Sequence, residues 1–143
     1  MIKLTEHRIS TLLKVTAFVN IGSALAALLL PQLNVQLLYG TTDPLTGLIQ
    51  SYHNLFWLTV FFMGIGYLIA SRSPAEQTAL ITCGALGKIS VAVIWGDLFL
   101  AGNATPLILG AVSFDGTFGF IFLIYILYHK RDRANELSEL AGE

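Results

Sequence analysis

Four long apolar segments dominate the sequence of this 143-residue chain. A transmembrane helix needs about 20 largely apolar residues. The segments that approach this length lie at about residues 12–30, 53–70, 77–101 and 106–128. Charged residues make up only 12% of the chain, about half the share in ordinary globular domains, so a water-soluble surface is excluded. We therefore predict an all-α, integral membrane four-helix transmembrane bundle, formed by a single domain over residues 1–143.

Lysine and arginine flank only one end of each predicted span. The basic residues on that side are Lys3, Arg8, Lys14, Arg72, Lys130, Arg131 and Arg133. Residues 31–52 and the turn 102–105, at the opposite ends of the spans, contain neither Lys nor Arg. Because loops rich in Lys and Arg remain in the cytoplasm, we expect both termini to be cytoplasmic and the protein to lie in the cytoplasmic (inner) membrane. Residues 129–143 are predicted as a short cytoplasmic tail that extends the last helix.

Prolines mark the predicted helix ends. Pro31 closes the first apolar run, whereas Asp43-Pro44 and Thr105-Pro106 each place a capping residue before a proline. This order is typical of helix starts, so the second helix is expected to begin near Pro44, ahead of its span. The loops that join the second, third and fourth helices are short, which makes these helices antiparallel neighbours.

Two charged residues fall near the middle of the predicted spans. Lys88 lies near the middle of the third helix and Asp115 near the middle of the fourth. At a rise of 1.5 Å per residue their depths differ by only about 6 Å, a distance that a lysine side chain can span. Because charges in hydrocarbon are costly and pair with one another, we predict a Lys88–Asp115 ion pair. Asn20, near the middle of the first helix, is expected to complete this polar centre.

Small residues surround the predicted pair. Gly84 and Gly87 precede Lys88 on the third helix, and Gly116 and Gly119 follow Asp115 on the fourth. Small side chains at such spacing let membrane helices approach closely. We predict that these glycines serve helix packing.

A second group of polar and aromatic residues lies toward the predicted outer side. His53 and Asn54 open the second span, and Trp95 and Asp97 lie near the end of the third. One interpretation is an interfacial belt, because aromatic and charged residues are common at headgroup depth. The alternative is an outer mouth that leads toward the polar centre. Asp97 is nine residues beyond Lys88, which turns the two side chains to roughly opposite helix faces.

Composition and motifs exclude several function classes. The net charge of −1 lacks the basic face that nucleic-acid binding needs. The single cysteine, Cys83, rules out an internal disulfide and a cysteine-rich metal site. The three histidines lie near span ends, so no bis-histidine haem or di-iron site is expected. No complete catalytic motif occurs; we identify no catalytic residue and predict no metal and no cofactor.

The order of the motifs resembles a known group of proteins. Gly84-x-x-Gly87-Lys88 in the third of four predicted helices, followed by Asp115 in the fourth, is similar to a pattern in small, four-helix bacterial membrane proteins that are loosely DoxX-like. The resemblance covers about residues 53–128. The first helix departs from DoxX proteins proper because it lacks a glycine-rich pattern. The resemblance implies a bacterial cytoplasmic membrane and no established activity.

Three functional hypotheses follow from these features. The first is a non-enzymatic membrane binding or accessory protein, acting as a homo-oligomer or as a subunit of a larger membrane complex. The second is a proton-linked small-molecule transporter, or a small lipid- or quinone-modifying enzyme, that uses Lys88 and Asp115 as acid and base. In the third, the pair only fixes helix register. A water-filled pocket that reaches Lys88 from the side of His53 and Asp97 favours transport or catalysis, whereas a dry pair favours a structural role. The lipid bilayer is the partner that all three share.

Overall fold

The computed structural model describes residues 6–141, which form five helices and contain no strand. The helices are α1 (Glu6–Leu29), α2 (Pro31–Tyr39), α3 (Gly47–Ala70), α4 (Thr78–Leu100) and α5 (Ile108–Ala141). All except α2 are long and apolar enough to cross a membrane, α5 over its segment Ile108–Arg131. The prediction of an all-α chain with four helices of membrane-spanning length is thus confirmed. Lys3 and residues 142–143 of the predicted tail lie outside the described residues, as does the side chain of Arg133.

The short helix α2 lies between the first two predicted spans, in a segment for which the sequence predicted no helix. Proline lacks an N–H and cannot continue a preceding helix, so Pro31 ends α1, but its fixed φ also suits the first position of a new helix. Gly40 then ends α2 in the left-handed region, at φ 71°, and its N–H donates to the Gln36 carbonyl at 2.9 Å. Nine residues are too few to span a membrane.

The long helices begin and end close to their predicted limits, with two exceptions. α1 begins at Glu6, before its apolar run, and α3 begins at Gly47 rather than near Pro44. Hydrophobicity identifies the part of a helix that suits hydrocarbon, and polar turns extend a helix beyond that part. α5 extends in the same way at its other end, as far as Ala141.

The bundle consists of two tightly packed helix pairs, α1 with α3 and α4 with α5. Within the first pair, a Cβ on Gly64 would lie 3.1 Å from the carbonyl oxygen of Ala17. Within the second, a Cβ on Gly119 would lie 3.1 Å from the carbonyl oxygen of Ala85. Both distances are shorter than ordinary contacts, so these two glycines allow the backbones to approach. Helices α3 and α4, which join the pairs, touch much less.

Two apolar clusters fill the two ends of the bundle. The α2-end cluster contains Ala24, Ala27, Leu38, Trp57, Trp95 and Ile108. The terminal-end cluster lies near the start of α1 and contains Ile9, Leu13, Ala17, Tyr67, Ala70, Ile81, Ala85, Phe122, Tyr125 and Ile126. The polar residues at the middle of α1, α4 and α5 therefore lie between two apolar layers.

Candidate binding site

Lys88 and Asp115 form a buried ion pair between α4 and α5. The side chain of Lys88 is only 6% exposed, and its ammonium also donates a hydrogen bond to Oδ1 of Asn20, on α1, at 3.2 Å. The predicted Lys88–Asp115 pair is thus present. The structure also brings Asn20 to it, so three helices contribute to one polar centre.

The ammonium of Lys88 also lies close to two aromatic rings. The Lys88 nitrogen lies 4.9 Å from the ring centroid of Phe114 and 6.0 Å from that of Tyr67. Cations are attracted to the negative face of such rings at distances up to about 6 Å. These contacts stabilise the charge without adding another charged group.

Two polar groups of the centre retain hydrogen-bonding capacity. An ammonium can only donate, so the Asn20 oxygen must face Lys88 and the amide nitrogen points elsewhere. Asp115 uses one carboxylate oxygen for Lys88. Within residues 6–141, no hydrogen bond involves the amide nitrogen of Asn20 or the second oxygen of Asp115. Both residues line the cavity described next.

A cavity of about 570 Å³ adjoins the polar centre and lies between the two helix pairs. This volume is within the range of about 300–1,000 Å³ that is typical of small-molecule sites. Apart from the polar centre, its wall is mainly apolar and aromatic. Residues from all four long helices line it, among them Phe56, Trp57, Val60, Met63, Tyr67, Val91, Trp95 and Phe114. The side chain of Asp115 is 18% exposed, which is consistent with its place in this wall.

Aromatic rings close the cavity toward the α2 end. The ring centroids of Trp57 and Trp95 are 6.3 Å apart, and Phe56 lies 5.2 Å from Trp57 and 5.7 Å from Trp95. At the opposite end, the ring of Tyr67 packs on Gly84, where a Cβ would overlap it. The cavity is therefore bounded at both ends by ring contacts between α3 and α4.

The residues predicted as an outer mouth separate in the structure. His53 lies above the aromatic closure, with its ring 6.4 Å from that of Trp57. One ring nitrogen lies 3.2 Å from Oδ1 of Asn34, a contact that joins α3 to α2. The other lies 3.4 Å from Oδ1 of Asn54, on the same helix as His53. Trp95 lines the cavity, whereas His53 and Asn54 do not. Asp97 is exposed and also lies outside the cavity wall.

Helix α2 covers this end of the bundle. The backbone N–H of Thr105 donates to the Leu38 carbonyl at 2.8 Å, which joins α2 to the loop before α5. Burial raises the pKa of Tyr39 above its ordinary value. The phenol is therefore neutral at physiological pH, and the cover above the cavity carries no charge at Tyr39.

The four predicted packing glycines have different surroundings. Gly84 and Gly119 lie at close approaches, against the Tyr67 ring and the α4 backbone. Gly116 makes an ordinary contact, with its Cβ position 3.7 Å from Cβ of Ala92. Gly87 does not pack against a helix: nothing lies within 4 Å of its Cβ position, and it lines the cavity instead. The sequence alone does not show whether a helical glycine faces a neighbouring backbone or an open space.

Sequence reasoning did not assign Phe114 and Met63 to the site. Phe114 lies beside Asp115 on α5, and Met63 lies one turn before Tyr67 on α3; both line the cavity. A spacing of three to four residues places side chains on one helix face. Phe56, Val60, Met63 and Tyr67 follow that spacing, so their periodicity was a usable signal.

Comparisons with known proteins identify no family for this chain. No model of a known protein family matches the chain, and neither a curated protein nor a solved structure matches it. The loose DoxX-like resemblance therefore stays a hypothesis. Within the described residues, no group of three or more His, Cys, Asp and Glu side chains is placed to hold a metal ion. The site is thus interpreted from its own geometry.

Proposed function

We propose that this protein is an integral membrane binding protein that holds a small, largely apolar molecule inside its helix bundle. The observation that carries the proposal is the cavity of about 570 Å³ beside the Lys88–Asp115–Asn20 centre. Apolar clefts with a few convergent polar groups are the usual form of small-molecule sites. The aromatic wall would bind the apolar part of such a molecule, and the polar centre would fix its orientation.

The cavity favours binding over a purely structural role for the ion pair. A pair that only fixes helix register is best enclosed by packed apolar side chains, because exposure to an open space adds nothing to register. Here both Lys88 and Asp115 line the cavity. A proton-linked transporter would also need a polar path to Lys88, and Phe56, Trp57 and Trp95 close the α2 end with rings. Binding is the function that this geometry supports best.

We further propose that both termini are cytoplasmic and that the protein lies in the cytoplasmic membrane. The one-sided distribution of Lys and Arg supports this orientation. Assembly into a homo-oligomer or with another membrane subunit is also part of the proposal. The exposed apolar residues of the four long helices suit lipid and a protein partner equally.

The two tryptophans of the chain allow a direct test of binding. Trp57 and Trp95 are its only tryptophans; they are 7% and 8% exposed and both line the cavity. Bromine quenches indole fluorescence only at close range. The protein is reconstituted into lipid nanodiscs, and undecane or undecanol with bromine on the last carbon is added. If at least one of these probes enters the cavity, it should quench the tryptophan fluorescence in a saturable manner. A probe that remains in the bilayer should give only a weak, linear decrease.

A pair of glycine variants provides the matched control. Gly87→Leu places a side chain in the space that Gly87 leaves open in the cavity wall, so we expect saturable quenching to disappear. Gly22→Leu makes the same chemical change at an exposed position of α1 that also has nothing within 4 Å and lies outside the cavity; its quenching should match that of the wild type. If neither probe shows saturable quenching of the wild type, the proposed function is wrong.

A further inference from the structure

The polar centre has one spare donor and one spare acceptor beside the cavity. The amide nitrogen of Asn20 can donate hydrogen bonds to a bound molecule. The second carboxylate oxygen of Asp115 can accept a hydrogen bond from such a molecule. Lys88 lies between these residues and bonds to the other polar atom of each. A bound molecule that satisfies both spare groups must accept a hydrogen bond and donate one.

The charge of the centre limits the head group of that molecule. Lys88 and Asp115 together carry no net charge, and the described residues that line the cavity include no other Lys, Arg, Asp or Glu. A charged head group would therefore bring an uncompensated charge into a largely apolar site, which is costly. A neutral head group avoids this cost.

The walls indicate that the molecule comes from the lipid phase. Ring contacts bound both ends of the cavity, so the water-facing ends are closed. The exposed lining residues lie instead along the sides of the bundle. Thr59, Cys83 and Gly87 lie on α3 and α4, and Val19, Ser23 and Gly110 lie on α1 and α5. These are the two clefts between the helix pairs, and in a membrane both would face acyl chains.

We propose that the ligand is a neutral, single-chain amphiphile with a hydroxyl head group, taken up from the bilayer. The hydroxyl oxygen accepts a hydrogen bond from the Asn20 amide, and its O–H donates to the free oxygen of Asp115. The chain lies against the apolar wall formed by Val91, Trp57 and Trp95. This assignment rests on the proposed binding function and adds to it the class of ligand.

Four probes of equal chain length test the head group. Each is an undecyl chain with bromine on the last carbon, and the heads are a hydroxyl, a trimethylammonium, a sulfonate and a hydrogen. We measure quenching of the two tryptophans in nanodiscs as a function of the mole fraction of probe in the lipid. The undecanol should bind at least about tenfold more tightly than the headless probe, a ratio that corresponds to about 1.4 kcal/mol. Both charged probes should give only the linear decrease.

Asn20→Ala isolates the head-group contact. The variant removes the spare donor but leaves the Asp115 acceptor, so the affinity for undecanol should fall toward that of the headless probe, whereas the affinity for the headless probe should not change. The headless probe therefore also reports whether the variant still forms the cavity. Asn103→Ala is the control, because it makes the same chemical change at an exposed asparagine outside the cavity wall. Its undecanol affinity should equal that of the wild type.

The outcomes separate the two proposals. Equal binding of undecanol and the headless probe, or saturable binding of either charged probe at the affinity of undecanol, would overturn the hydroxyl assignment while leaving the proposed binding function intact. An Asn20→Ala variant that retains the full preference for undecanol would also overturn it. If none of the four probes shows saturable quenching, the binding function fails together with this inference.

Discussion

Lys88→Met should destabilise the protein because it leaves the Asp115 carboxylate without its cation. Methionine matches the lysine side chain as far as Cε but lacks the ammonium, so the substitution removes the ion pair and the hydrogen bond to Asn20. Breaking a buried pair from one side costs about 3–5 kcal/mol in soluble proteins. Because Asp115 has a partly open side toward the cavity, we expect a loss of about 2–4 kcal/mol.

Asp115→Asn should cost less, about 1–3 kcal/mol, since the amide oxygen still accepts a hydrogen bond from Lys88.

The double variant Lys88→Met/Asp115→Asn tests whether the two residues act as partners. It contains neither charge, so its stability should lie within about 1–2 kcal/mol of the wild type, well above the value for additive losses. Unfolding is followed by tryptophan fluorescence in mild detergent. Lys88→Met/Asp97→Asn is the control pair, because Asp97 is an exposed carboxylate outside the centre, and its losses should add. Silent single variants, or a Lys88/Asp115 double variant as unstable as the sum of its singles, would refute the reasoning.

Two further predictions concern packing and orientation. Gly119→Val should clearly lower the thermal unfolding temperature, because its Cβ would press on the α4 backbone. Gly22→Val should leave that temperature almost unchanged, because nothing lies within 4 Å of the Cβ position of Gly22. Equal effects of the two substitutions would contradict the tight pairing of α4 and α5. In a Cys83→Ala background, a cysteine at exposed Asn103 should react with a membrane-impermeant maleimide added to intact cells, and one at exposed Glu76 only after lysis. The reverse pattern would invert the proposed orientation.

The sequence was most informative where a single physical requirement decides the structure. A helix that crosses hydrocarbon must be long and apolar, and that requirement located all four long helices. A second requirement, that charges in hydrocarbon be paired, identified the ion pair. Two opposite charges at similar depth in neighbouring spans have few other ways to be accommodated. Helix α2 escaped prediction because Pro31 serves two purposes there, as the end of one helix and the first residue of the next.

The cavity could not be predicted because it depends on how the helices pair. Asp97 and His53 share a predicted outer level with Trp95, yet only Trp95 lines the cavity. The rotation of each helix about its own axis decides this difference. Hydropathy does not determine that rotation, since both the lipid and the interior of the bundle are apolar.

The placement of glycine explains how one bundle can contain both tight contacts and an open space. Gly64 and Gly119 lie within the helix pairs, where a neighbouring backbone leaves no room for a Cβ, and there small size brings helices together. Gly87 and Gly110 lie in the cavity wall, where nothing occupies the space within 4 Å, and there the same small size keeps a volume open. Substitutions at the first two positions therefore act on the fold, whereas substitutions at the last two act on the cavity. Because these effects are expected at different residues, the proposed binding function can be tested with variants that retain the fold.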